Sequence, residues 1–247
     1  MQQVSLSQIK QSFNRAAITY SDHNLIQQLA QEHLVEQIVI RRNNFRIAAD
    51  FACGIGLSTK YIMDQFRIDE CYAIDIADCA LKLAHEHLKH YKVKLIESDY
   101  HQAVLKDNSL DLAFCNMGFQ WSYDLMVTLK VMYQQLANNG ILAFSLPLSG
   151  TFSYLNACDR LNFLTSERVL TMLKLVGFSV VSFEQFYKTY NFQSSLEALK
   201  VLKGIGANIN HNLSSSGLIT LNQLDNFFKY ENQYALDYRI GLFVAQK

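Results

Sequence analysis

An α/β fold on a mostly parallel sheet is what this sequence predicts, on three observations. From residue 44 to residue 147, short apolar runs alternate with amphipathic helical stretches, the pattern of βαβ units. The first run leads into the strand–bend–helix signature "ADFACGIGLSTKYIMDQF", with Gly54 and Gly56 at the bend. Each of the first three runs ends on or beside an aspartate: Asp50, Asp75 and Asp99. Right-handed crossovers in such a sheet place a ligand at the carboxyl ends of the strands.

Taken in order, the segment from Ser5 to about Ile40 is helix-like. Its stretch "SDHNLIQQLAQEHLVEQIVI" repeats apolar residues at three- and four-residue steps, with Ser21 or Asp22 as the expected N-cap. The period changes after Arg41 and Arg42. Strands are expected at "FRIAADF", "CYAID", "VKLIES", "LDLAFCN" and "GILAFSLP", with helices over Leu57–Phe66, Ala77–His90 and Asp124–Ala137 between them. Beyond Pro147, the only proline, "TSERVLTMLKLVGF" predicts a helix and "FSVVSFEQFYKTYNF" a long strand. The stretches "SSLEALKVLKGIGA" and "TLNQLDNFFKYE" are helical in pattern, and "YRIGLFVAQ" closes as a strand. The parse is one domain over 1–247. It has an N-terminal helical extension (1–43), a glycine-bend half (44–147) and a second half (148–247) with a helical cap at about 193–232.

With 247 residues, half of them hydrophobic and 18% charged, the chain can bury a sizeable core and carries no signature of disorder. Lys+Arg and Asp+Glu balance at 22 each, so charge gives no support to nucleic-acid or membrane binding. The start, "MQQVSLSQIKQSFNRAA", lacks the apolar stretch of a signal peptide, and no run approaches the roughly 18 apolar residues of a membrane span. Five cysteines form no CxxC pair and read as reduced, mostly buried thiols. His85, His87 and His90 lie on one expected helix, but His85 points away from the other two and a solvated face is the better reading. Arg41, Arg42 and Arg46 read as a solvated loop. A soluble cytoplasmic protein without metal, membrane or nucleic-acid partner is expected.

The glycine bend fails the dinucleotide fingerprint, because the residue three past Gly56 is Thr59 rather than glycine. Three carboxylates at the ends of successive strands converge on one crevice with no obvious cationic partner. A ribose diol suits Asp75, whereas a phosphate-bearing dinucleotide would be repelled. A bare structural turn remains the alternative for the glycines alone.

These residues resemble the class I S-adenosylmethionine-dependent methyltransferases, whose pattern is acidic-x-Gly-x-Gly-x-Gly after the first strand and an acid after each of the next two. The resemblance implies a Rossmann-like methyltransferase sheet and S-adenosyl-L-methionine as cofactor. It implies Asp50, Gly54 and Gly56 around the methionine part, Asp75 with Ile76 at the ribose, and Asp99 at the adenine amine with Tyr100 lining the base. Ala52 stands where the family usually has its first glycine, so an extra methyl crowding the cofactor is expected there.

Three further stretches, "FNRAAITYSDHNLIQQ", "NMGFQWSYDL" and "LEALKVLKGIGANINH", resemble the malonyl-acyl carrier protein O-methyltransferases of biotin synthesis. That narrower resemblance covers the chain from about Ser12 to Phe243. It implies methylation of the free malonyl carboxylate on an acyl carrier protein, which yields the primer of the pimeloyl chain. Residues 44–147 are then the cofactor half and 148–247 the acceptor half. Asn116 is expected beside the methyl end of the cofactor. Gln120, Trp121, Tyr20 and Arg15 are expected to close the acceptor site, and Lys203 and His211 to meet substrate or carrier. Two other readings keep the fold: another small carboxylate or small-molecule acceptor, or a catalytically silent relative, which Ala52 motivates.

Overall fold

The computed structural model describes residues 5–103, 105–156, 163–207, 226–230 and 233–247. Seven strands form one sheet in the order β3-β2-β1-β4-β5-β7-β6. They are β1 Asn44–Phe51, β2 Arg67–Asp75, β3 Val93–Glu97, β4 Leu110–Asn116, β5 Leu136–Pro147, β6 Ser179–Phe192 and β7 Tyr234–Gln246. The first five strands run parallel, and β7 lies antiparallel between β5 and β6. The expected α/β sheet is therefore present. Strand order reverses between β1 and β4, which opens a crevice at their carboxyl ends.

Alternation at period two explains why both faces of the sheet are covered. Along β4, Leu112 and Phe114 point to one core while Ala113 and Cys115 point to the other; Ile141 and Ala143 alternate with Leu142 and Phe144 along β5. The first core is closed by α3 (Leu25–Val39) through Ile26, Ala30, Leu34 and Ile38, and by α4 (Leu57–Gln65) through Ile62. The second is closed by α6 (Leu125–Gln135) and α7 (Ser166–Val176) through Leu129, Met132, Val169 and Leu173. Fully burying one such Leu or Phe side chain contributes about 1.5–3 kcal/mol.

The helix-like N-terminal segment forms three helices: α1 Leu6–Ala16, α2 Tyr20–His23 and α3. A capping box starts α1, with Gln8 N donating to Ser5 Oγ at 3.3 Å and Ser5 N donating to Gln8 Oε1 at 2.9 Å. The expected caps Ser21 and Asp22 lie inside α2, and Asn24 precedes α3 without a side-chain cap bond. The remaining helices are α5 (Asp78–Leu88) and α8 (Ser195–Gly204). Within "TLNQLDNFFKYE" the described residues 226–230 form turns and a bridge from Phe228 to Leu155, not a helix; 220–225 and 231 lie outside the described residues. Among the described residues, no helix is long and apolar enough to cross a membrane.

Candidate functional site

Where β1 ends, the chain turns through Ala52 and Gly54 into α4. Gly54 sits at φ +55° and a Cβ built there would meet nothing within 4 Å, so its missing side chain leaves open space toward the crevice. Gly56 differs. At φ +82° it precedes α4, and a Cβ would press within 3.0 Å of Ala84 and Leu88, so it serves the packing of α4 on α5. His87, expected to be solvated, instead brings Nδ1 to 2.7 Å from the carbonyl of Ile55 and fixes α5 to the bend.

An open cavity, about 740 Å³ with the space continuous with solvent included, lies on this bend, lined by Tyr20, Ala52, Gly54, Asp75, Ile76, Asp99, Tyr100, Asn116 and Trp121, among others. These residues come from the ends of β1, β2, β3 and β4 and from the N-terminal helices. Asp75 accepts from Gly54 N at 2.7 Å and from Ala77 N at 2.8 Å, so its carboxylate and the bend fix each other. Burial still raises its pKa. Asp99 lies beyond β3, and its Oδ1 is 2.8 Å from Nδ1 of His101, a partner the sequence reading did not foresee.

Asp50 does not line this cavity. It is fully buried beneath the bend, where Oδ2 accepts from Ser58 Oγ and Thr59 Oγ1 at 2.7 Å each. Its Oδ1 has no partner among the described residues. Burial, opposed by the two hydroxyls and reinforced by the charge of Asp75, pushes its pKa up to about 7.

A second cavity of about 510 Å³ adjoins the first and shares Phe13, Tyr20, Met117 and Trp121 with it. Its other walls include Gln27, Gln120, Phe152, Phe163 and Tyr238. Gln120 and Trp121 stand on a short 3-10 turn, Phe119–Trp121, and the Trp121 ring meets Phe13 edge-on at 5.5 Å. Gln120 Nε2 donates to the Met117 carbonyl at 2.7 Å, while its Oε1 and that of Gln27 are buried without partners among the described residues. Asn116 ties the neighbourhood together, donating to the Gln27 carbonyl at 2.9 Å and accepting from Ser145 Oγ at 2.6 Å. Burial, with the charges of Asp75 and Asp50, raises the Tyr20 pKa, so its hydroxyl stays protonated.

Ala52 and Met117 both hold left-handed backbone, at φ +59° and +55°, a conformation that costs an alanine about 1–2 kcal/mol. Both line the first cavity. The Ala52 methyl lies where a Cβ on Gly118 would fall, 2.6 Å away in the reconstruction.

One expected residue, Arg15, lines neither cavity. Arg15 is exposed on α1, with Nη2 3.3 Å from Gln11 Oε1. Phe13 and Ala17 from the same helix point into the cavity, and residues two steps from each lie on the far side of the helix. Lys203 is exposed on the last turn of α8. His211 lies outside the described residues.

The sequence reading missed Leu6, Ile9, Phe13 and Ala17, the face of α1 that covers the first cavity. Their three- and four-residue spacing was the available signal. Polar bonds hold that helix down. Lys10 Nζ reaches Asp78 at 3.1 Å and Glu97 at 2.7 Å, Asn14 Nδ2 donates to Asp78 at 3.0 Å, and Cys79 N donates to Asn14 Oδ1 at 3.0 Å. On the other side Ser12 donates to the Gly206 carbonyl at 3.0 Å and Thr19 to that of Gly204 at 3.2 Å.

A methyltransferase-domain family model matches residues 49–144, the span from β1 to β5 that carries the bend and the three acidic residues. The N-methyltransferase NodS from Bradyrhizobium japonicum, solved with S-adenosyl-L-homocysteine, superposes with a TM-score of 0.60 at 13% identity, covering 97% of this chain and 98% of that one. The fold and the crevice at its switch point are those of a class I methyltransferase, which uses S-adenosyl-L-methionine. Malonyl-[acyl-carrier protein] O-methyltransferase 2 of Coxiella burnetii is 40% identical over 240 residues, 97% of this chain and 95% of its own length. The corresponding protein of Salmonella typhimurium is 28% identical across the full length of both chains. This chain belongs to the malonyl-[acyl-carrier protein] O-methyltransferase family.

Proposed function

We propose that this chain transfers a methyl group from S-adenosyl-L-methionine to the free carboxylate of a malonyl group on acyl carrier protein. The product would be the malonyl methyl ester that starts the pimeloyl chain of biotin. Family membership supports the reaction. The observation that carries it is the junction of the two cavities: the walls of the first end in acids, those of the second are mostly apolar, and Tyr20, Met117 and Trp121 stand between them.

The residues present fit the cofactor, since Gly54 leaves a cradle that a Cβ would fill and Asp50 keeps an orphaned oxygen below it. In this reading Asp75 and Ile76 hold the ribose, Asp99 takes the adenine amine and Tyr100 lines the base. Ala52, Gly54 and Asn116 surround the methionine part, with Asp50 and Gly56 shaping the bend beneath. When bound, S-adenosyl-L-methionine supplies a methyl group on a positively charged sulfur. A malonyl carboxylate is already anionic at neutral pH, so no general base is needed. Tyr20, kept protonated, donates a hydrogen bond rather than removing a proton. Phe13, Trp121, Met117 and Phe152 strip water from the acceptor, and Gln120 orients it. Arg15 and Lys203 are assigned to the outer surface, where an acidic carrier docks. Residues 44–147 are the cofactor half and 148–247 the acceptor half of a single domain. The free thiols of Cys53, Cys71, Cys79 and Cys115 suit the reducing cytoplasm, where we place the protein.

The test is to incubate the purified protein with S-adenosyl-L-methionine and malonyl-acyl carrier protein and to weigh the intact carrier. One added methyl group is expected, with faster turnover than on malonyl-CoA. An unmodified carrier, with its malonyl load and cofactor binding both verified, would refute the proposal.

A further inference from the structure

His101 joins two parts of the molecule that are distant in sequence. Its Nδ1 lies 2.8 Å from Asp99 Oδ1, which also accepts from the His101 backbone N at 3.0 Å. Its Nε2 lies 2.8 Å from Thr128 Oγ1 and 3.0 Å from Ser122 Oγ. The two hydroxyls are 2.6 Å apart, and Ser122 Oγ accepts from Asp124 N at 3.1 Å. The ring is held between Tyr100, at 4.7 Å, and Tyr123, at 4.3 Å.

An ionised carboxylate only accepts, so Nδ1 carries a proton and a neutral ring must accept at Nε2. Each hydroxyl has one proton to give. The assignment that uses the shortest contacts runs one way: Asp124 N to Ser122, Ser122 to Thr128, Thr128 to His101 Nε2, and His101 Nδ1 to Asp99 Oδ1. Both donors from His101 therefore converge on one oxygen of Asp99. Among the described residues no donor reaches Asp99 Oδ2, and Asp99 lines the first cavity. The side chain is thus pinned with one acceptor left for a ligand.

We propose that His101 is a positioning residue: it turns Asp99 so that Oδ2 demands a hydrogen-bond donor, and thereby makes the pocket select a 6-amino purine over a 6-oxo purine. The inference rests on the reading that Asp99 meets the purine edge of the cofactor. A 6-oxo ligand would set an acceptor against an acceptor whose carboxylate cannot rotate away. Without the Nδ1 donor, Asp99 keeps only the backbone N–H of residue 101 on Oδ1 and turns more readily, so the rejection weakens.

The experiment compares the affinities of S-adenosylhomocysteine and S-inosylhomocysteine by calorimetry in the wild type, in His101→Gln and in His101→Asn. Glutamine reaches toward Thr128 but loses the donor at the Nδ1 position, whereas asparagine places an amide N–H there. A site built to hydrogen-bond an N–H group should favour the adenosyl ligand by roughly 100-fold or more. That ratio is expected to fall below about 10-fold in His101→Gln, and to recover in His101→Asn as one charge-assisted bond returns. A ratio unchanged in His101→Gln, with both ligands weakened equally, would show a merely structural role and overturn the inference while leaving the adenine assignment of Asp99 standing. No preference in the wild type would remove that assignment, and the inference with it.

Discussion

Replacing Asp50 with asparagine should make the cofactor-free protein more stable at pH 8 and no more stable, or less, at pH 5. Asp50 is fully buried with two hydroxyl donors and no cation, and its pKa rises from 3.8 to about 7. A carboxyl with a higher pKa in the folded protein than in the unfolded chain takes up a proton on folding. Stability therefore falls as pH rises from about 4 to about 7 and then levels off. At about 1.4 kcal/mol per pH unit, keeping this carboxylate ionised costs on the order of 4 kcal/mol above that range. An amide in its place still accepts from Ser58 and Thr59, but it leaves an N–H where Oδ1 already lacks a partner, at a cost of about 1–3 kcal/mol. The net gain at pH 8 is about 1–3 kcal/mol. For a chain of this length, about 2–4 °C per kcal/mol gives a rise in Tm of about 2–12 °C. At pH 5 Asp50 is protonated in the folded wild type while the unfolded carboxyl is already ionised, so only about 1.7 kcal/mol of that cost is present, and the amide's own cost of about 1–3 kcal/mol roughly cancels or exceeds it. Thermal melts at both pH values decide the matter: an equal Tm difference at pH 5 and pH 8 would refute the reasoning.

Three further outcomes are expected. Asp75→Ala should weaken cofactor binding by about 1–3 kcal/mol in calorimetry and also lower Tm, because Gly54 N and Ala77 N lose their acceptor; unchanged affinity in a folded variant would count against the ribose assignment. Gly118→Ala should destabilise by about 1–3 kcal/mol in denaturant melts, since the new methyl meets Ala52 Cβ and Cys115 Sγ at 2.6 Å each, and adding Ala52→Gly should restore part of the loss. Trp121→Ala should reduce methylation of the carrier while cofactor affinity changes by less than about 1 kcal/mol, the scale of one aromatic edge contact; an equal loss of both would erase the division between the two cavities.

Much of the sheet was legible because its signals are local. "LDLAFCN" occupies β4 without a residue of error, and the glycine bend marks the β1–α4 turn. Period two and period 3.6 are written into consecutive residues. The break at Ala17–Thr19 carries no glycine or proline, so the helix start was expected at Ser21 or Asp22 and the short α2 was not foreseen. Arg15 was expected inward, although Phe13 and Ala17 already fixed the buried face of α1. The three carboxylates were expected to have no obvious cationic partner, and the neutral imidazole beside Asp99 was not foreseen. The bond of Asp99 to His101 depends on a turn of the backbone, and on Ser122 and Thr128, which lie 21 and 27 residues further along. Such partners are set by tertiary packing and leave no spacing to read.

The first helix is fastened along its two edges by different kinds of force. Toward α5 and β3, Lys10 contributes exposed charge pairs with Asp78 and Glu97, beside the neutral bonds of Asn14. Toward α8, the polar bonds among the described residues are those of uncharged hydroxyls, Ser12 on the helix and Thr19 just beyond it, to backbone carbonyls. Dissolved salt screens the first set and scarcely touches the second. Ionic strength thus acts on this cover as on a door with one magnetic edge and one mechanical hinge: it loosens the side over β3 and leaves the side against the cap in place.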